Sequence, residues 1–166
     1  MTNNEFLPKE YEVPASKGNY MKFQEGANRF RILSSPIIGY EWFEEKEDGT
    51  KKPVRVAMGV TLPKLDGIKH FWAMPIWDYE EEKVKILEIT QKGLMTSIKA
   101  LASDEDWGSP VNYDLVVTRE GKSMDTKYSL NPKPAKELSG EIIIAFKEAH
   151  VDLDALFRGE DPFAVK

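Results

Sequence analysis

The stretch Lys83-Val-Lys-Ile-Leu-Glu-Ile-Thr-Gln-Lys-Gly-Leu-Met-Thr-Ser-Ile-Lys-Ala-Leu-Ala102 changes its hydrophobic period midway. Up to Ile89 it alternates, with Val84, Ile86 and Glu88 on one side and Lys85, Leu87 and Ile89 on the other, the period of a strand. From Leu94 the apolar residues Leu94, Met95, Ile98, Leu101 and Ala102 fall at helical spacing, with Thr90 as the N-cap candidate. Gly93 weakens the first turn by about 1 kcal/mol relative to alanine. A strand therefore runs into a helix, and what flanks the pair decides the fold.

Strand patterns lie on both sides. Upstream, Arg29 to Leu33 alternates, with Phe30 and Ile32 facing one way and Arg29 and Arg31 the other. Ser34-Ser35-Pro36 interrupts it and Ile37 to Phe43 resumes. Asp48-Gly49 marks a turn, and Lys51 to Val60 returns with Val54, Val56 and Met58 opposite Arg55 and Ala57. Lys69 to Trp77 is a strand rich in aromatics. Downstream, Val111 to Arg119 and Thr126 to Leu130 form a hairpin around Gly121. Ser139 to His150 is expected to be a helix, and Asp152 to Phe157 a short one capped by Asp152, before a tail from Gly159. Strands on both sides of a single internal helix predict a mainly β fold, a five-stranded OB barrel plugged by that helix. An SH3-like barrel and a small α+β sandwich remain alternatives. The expected organisation is an irregular arm over 1–17, the barrel over 18–136, and an acidic helical segment with a tail over 137–166.

The chain has 166 residues, the size of one domain with short appendages. Without cysteine it offers neither disulfides nor thiolate metal sites, and His70 and His150 stand apart, so no metal or other cofactor is expected. No apolar run is long enough to span a membrane, and the N-terminus lacks the basic-then-apolar pattern of a signal peptide, which points to the cytoplasm. The net charge of -5 opposes nucleic-acid binding when taken whole. Its distribution weakens that objection: residues 137–166 carry seven acids and three bases, leaving the rest with a net charge of -1.

The sharpest chemical feature is the aromatic and basic material on the early strands. Tyr40, Trp42, Phe71 and Trp77 offer rings for stacking on unpaired bases. Arg29, Arg31, Lys52, Arg55 and Lys69 offer positive groups for phosphates, with Arg119 and Lys127 on the later hairpin as weaker candidates. The competing reading is that alternating aromatics are core. Phosphate loops, nucleophile elbows and zinc helices are absent, and the acidic runs sit at predicted turns, so a binding protein is expected rather than an enzyme. A protein–protein interaction module of the OB or SH3-like type is the alternative.

The block Lys69-His-Phe-Trp-Ala-Met-Pro-Ile-Trp-Asp-Tyr-Glu-Glu-Glu-Lys83 with Val-Lys-Ile-Leu-Glu-Ile-Thr-Gln-Lys92 resembles the single-stranded DNA-binding proteins of tailed bacteriophages. So do Asn28-Arg-Phe-Arg-Ile-Leu33, Asp106-Trp-Gly-Ser-Pro110, Tyr113-Asp114 and Leu156-Phe-Arg-Gly-Glu-Asp-Pro-Phe163. The resemblance spans residues 18–163. It implies an OB fold, sequence-tolerant binding of single-stranded DNA in phage replication, recombination and repair, and an acidic C-terminus that recruits replication or recombination proteins. Asp152, Asp154, Phe157, Glu160, Asp161 and Phe163 are the candidates for that contact. The zinc cluster of some helix-destabilising members does not carry over to a chain without cysteine.

Overall fold

The computed structural model describes residues 19–121 and 123–163; the expected N-terminal arm over 1–17 lies outside them. Seven strands form one open sheet: β1 (Gly26–Ile32), β2 (Ile37–Glu45), β3 (Lys51–Ala57), β4 (Lys69–Asp78), β5 (Lys83–Ile89), β6 (Asp114–Glu120) and β7 (Lys127–Pro132). Helix α1 (Lys92–Ser103) lies between β5 and β6, and α2 (Gly140–Ala149) follows β7. A 3-10 helix, Leu153–Arg158, comes last.

The strand order is β3-β2-β4-β1-β6-β7, with β5 also paired to β4, and every ladder is antiparallel. Ser34-Ser35-Pro36 divides what would otherwise be one long strand, because β1 and β2 both pair with β4, at Phe30–Ile32 and Ile37–Glu41 respectively. Prolines disrupt ladders, and the three strand prolines sit at edges, ends or breaks of the ladder, Pro132 at the end of β7. Pro53 lies on the edge strand β3. Pro75 lies where β4 passes from one partner to the other, and its carbonyl accepts the Leu33 N–H at 2.9 Å. The outer edge of β5 is covered by the chain entering the sheet, with Met21 N–H donating to Ile86 O at 2.8 Å.

Alternation sends one side of each strand inward. Phe30, Ile32, Met74, Ile76, Leu87, Ile89, Leu115 and Val117 form the main core with Tyr113, and α1 presents Leu94, Met95 and Ile98 to it. The helix packs on the core with three residues of the face read from its spacing; of the other two, Leu101 is half-buried and Ala102 is exposed. Its N-cap position is Gln91, which makes no side-chain cap; Thr90 does not cap it. Helix α2 begins on the Ser139 hydroxyl, which accepts from Ile142 N–H at 3.3 Å.

The fold is mainly β, as expected. Its sheet is open and has seven strands where five were expected; the division at 34–36 and the addition of β3 account for the two more. The C-terminal segment is docked: Ala155, Leu156 and Pro162 are buried, and Leu156 packs with Phe71, Ala73 and Ile86 of the sheet. Asp152 makes no side-chain cap and instead accepts from Arg158 at 2.8 Å. Among the described residues no helix is long and apolar enough to cross a membrane.

Candidate nucleic-acid interface

Strand register decides which rings share a surface. Tyr40 pairs with His70 and with Val56, Ile38 pairs with Trp72, and Trp42 pairs with Val54. Because side chains alternate, Ile38, Tyr40, Trp42, Val54, Val56, His70 and Trp72 occupy one face of β3–β2–β4. Glu41, Arg55, Phe71, Ala73 and Trp77 occupy the other. The expected groove, which combined Tyr40 and Trp42 with Phe71, Trp77 and Arg55, is therefore split between two sides of the sheet.

The second of these faces is closed. Phe71 is fully buried with Ala73, Ile86 and Leu156, and its ring lies 6.3 Å from that of Phe157. Trp77 is buried beneath α2 with Val84 and Ile142. Neither ring is free to stack on a base. Arg55 is engaged by two carboxylates, Glu41 Oε1 at 3.2 Å and Glu88 Oε2 at 2.9 Å, and lies over the Phe71 ring. Its charge is spent inside the protein rather than offered to phosphate.

Glu41 and Glu88 share that one guanidinium. Burial, then the hydrogen bond and the charge of Glu88, push the Glu41 carboxyl up to about 8 against the pull of Arg55. Near neutral pH the folded protein holds a proton there. Since the folded value is raised above the ordinary 4.5, the stabilisation is complete below that value and is lost as pH rises through about 8. Glu41→Gln keeps the protonated shape at every pH. The melting temperature of the native chain is expected to fall from about pH 5 to about pH 9, and that of Glu41→Gln to fall less. Parallel profiles would show that Glu41 is ionised throughout.

The first face is open along part of its length. Tyr40, His70 and Trp72 are half-buried, and Ile38 is 40% exposed. The Tyr40 and His70 rings lie 5.1 Å apart, tilted by 51°. His70 Nδ1 meets Gly39 O at 2.9 Å; a carbonyl only accepts, so the proton sits on Nδ1 and the ring is fixed. Gly39 is required there: a Cβ would overlap the Val56 carbonyl of β3. Trp42, on the same face, is buried and unavailable for stacking; its indole N–H points to Glu44 at 3.4 Å.

The other expected cations divide. Lys52, Lys69 and Lys127 are exposed and make no ion pair among the described residues. Arg31 is only 2% exposed and binds Asp114 Oδ1, Val111 O and Lys136 O, so it is a structural residue. Arg29 is partly exposed but is held on Asp114 Oδ2 at 2.7 Å. Arg119 turns inward, where its Nη1 donates to Phe23 O at 3.1 Å. In each case a part of the chain distant in sequence engages the side chain: residues 111–136 for Arg29 and Arg31, which face away from the core, and Phe23 for Arg119.

In the C-terminal segment, Asp152 and Glu160 both bind Arg158, and Asp161 accepts from Phe163 N–H. Phe157 and Phe163 pack on the sheet, so neither ring is free to anchor a partner in this arrangement, whereas Asp154 is exposed. Ile38, His70 and Trp72 are outside the expected contacts; Ile38 shares its parity with Tyr40 on β2, but only the β2–β4 register brings His70 and Trp72 to that face. A comparison with protein-family models, curated proteins and solved structures found no match.

Proposed function

We propose that this chain binds single-stranded DNA with little sequence preference along the open face of β2, β3 and β4, and that its sheet is an elaborated OB barrel. The strand pairing supports the fold. If β1 and β2 are one bent first strand, then β4, β5, β6 and β7 follow as strands two to five. The helix then lies between the third and fourth, and the β2–β3 hairpin is an insert between the first and second. OB folds bind oligonucleotides on the face of their second and third strands and on the loop between the first and second. Here α2 and the 3-10 helix cover the former, which leaves the β2–β3 insert and its junction with β4.

The observation that carries the reading is the row Tyr40–His70–Trp72 with Ile38: three half-exposed rings on one face, with exposed Lys52 on the same face of β3 and exposed Lys69 beside His70 at the start of β4, on the opposite face. Base–aromatic stacking contributes about 1–3 kcal/mol per base and tolerates any sequence. Lysines supply the phosphate contacts. The role in phage replication, recombination and repair rests on the sequence resemblance, as does recruitment of partner proteins by the acidic C-terminus, for which exposed Asp154 and Asp161 remain accessible.

Titration with labelled oligo-dT at rising salt tests the reading. Tight, salt-sensitive binding is expected, and Tyr40→Ala and Trp72→Ala are each expected to weaken it by about 1–3 kcal/mol. Affinity no greater than for duplex, or indifferent to salt, would remove DNA binding and leave the interaction-module alternative.

A further inference from the structure

The row of rings runs into a cavity. Ile38 and Trp72 line its mouth, and Ile32, Met74 and Ile98 form its apolar floor. The bend that separates β1 from β2 forms one wall through Ser34, Ser35 and Pro36. The C-terminal half of α1 forms another through Lys99 and Ala102, and Ser109, Pro110 and Val111 close the third side. Its volume is about 360 Å³, at the lower end of the ~300–1,000 Å³ typical of small-ligand sites.

Its electrostatics set it apart. The lining holds one lysine and no carboxylate. Four other cavities each carry at least one acid: Asp78, Glu80 and Glu81 in one, Glu160 and Asp161 in the next, Glu137 in the third, and Asp152 and Asp154 in the fourth. In a chain with a net charge of -5, this is the cavity of the five that a polyanion enters without meeting a like charge.

We propose that this cavity receives one unstacked base of the bound strand. Building on the single-stranded DNA reading, the inference assigns a base pocket at the end of the stacking row. The base lies against the Trp72 ring over the apolar floor. Ser34, Ser35 and Ser109 present hydroxyls to its polar edge; the Ser109 oxygen already accepts from Val111 N–H, so its proton is available to donate. Lys99, exposed on α1, meets the phosphate beside the inserted base. A duplex cannot fill such a pocket without unpairing and unstacking a base, so the pocket also contributes to preference for single strands.

The test uses the full chain and a labelled oligo-dT of about twelve nucleotides, within the ~4–16 that one such barrel covers. Ala102→Trp fills the cavity from α1, and Lys99→Glu reverses its single charge. Lys147→Glu, an equal charge change on α2 outside the proposed interface, is the control. Ala102→Trp is expected to weaken binding about fivefold or more, the loss of one base stack, and Lys99→Glu to weaken it clearly more than Lys147→Glu. If Ala102→Trp does not fold, the two lysine variants alone decide. Should the native chain bind oligo-dT while Ala102→Trp binds as well, or the lysine variants weaken it equally, the pocket holds no base and the wider reading stands. Should the native chain not bind oligo-dT, both fail.

Discussion

Asp114→Ala is expected to lower the unfolding free energy by about 3–5 kcal/mol, the usual cost of removing one partner from a buried charge cluster. The Asp114 carboxylate is fully buried and is a cross-strand neighbour of Arg31 in the β1–β6 ladder. It accepts from Arg29 Nε and Nη2, from Arg31 Nη1 and from the Tyr79 hydroxyl, with Lys136 Nζ at 3.5 Å. Burial alone would raise its pKa, but the hydrogen bonds from Tyr79, Arg29 and Arg31, together with the Lys136 charge, hold it below the ordinary value. Burial and the bond to Asp114 in turn push the Tyr79 hydroxyl to about 12. Without the carboxylate, Arg31 keeps only two backbone carbonyls for a fully buried cation. Asp114→Asn, which retains an acceptor, is expected to cost less. Because the folded pKa is depressed, the contribution is present above the ordinary 3.8 and is lost as pH falls through the folded value. Denaturant unfolding of both variants near neutral pH checks this. A loss below about 1 kcal/mol would place the cluster among exchangeable surface pairs.

That cluster also shows what the sequence discloses and what it withholds. Alternation around Phe30 and Ile32 correctly turns Arg29 and Arg31 away from the core, because a period of two is a property of the local backbone. It does not say what lies beyond that side of the strand. Asp114 is 83 residues from Arg31, and no local pattern announces the contact. The same distinction governs the rings. The bounds Lys83–Ile89 and the helical face of α1 were legible because each depends on a few adjacent residues. The grouping of Tyr40 with His70 and Trp72, rather than with Phe71 and Trp77, depends on the β2–β4 register. A shift of one residue in that register would exchange the two sets. Parity assigned Tyr40 and Trp42 to one face, and only the pairing revealed which face of β4 continues it. The cavity beside Trp72 is further from reach, since its walls come from the β1–β2 bend, α1 and the loop before β6.

Those registers give the sheet two unlike sides, and the covered one yields the second large effect. Leu156→Ala is expected to destabilise the fold by about 2–5 kcal/mol, the range for emptying a buried leucine site. Leu156 is 3% exposed and packs with Phe71, Ala73 and Ile86, while Phe157 and Phe163 extend the contact. The acidic character of residues 152–161 invites a different view, in which charge holds the segment on the cations of β3 and a DNA strand displaces it. Lys46, Lys52, Glu160 and Asp161 do line one cleft. Exposed pairs contribute only ~0–1 kcal/mol, however, and salt screens them. The apolar contact stabilises more than these pairs do and is not screened, so the segment is part of the fold. A chain ending at His150 is expected to melt well below the native one, with the deficit unchanged by added salt, and to bind oligo-dT no more tightly at temperatures where it stays folded. A shortened chain with native stability and raised affinity would make the segment a detachable shield and move the DNA path to the face of Phe71 and Arg55.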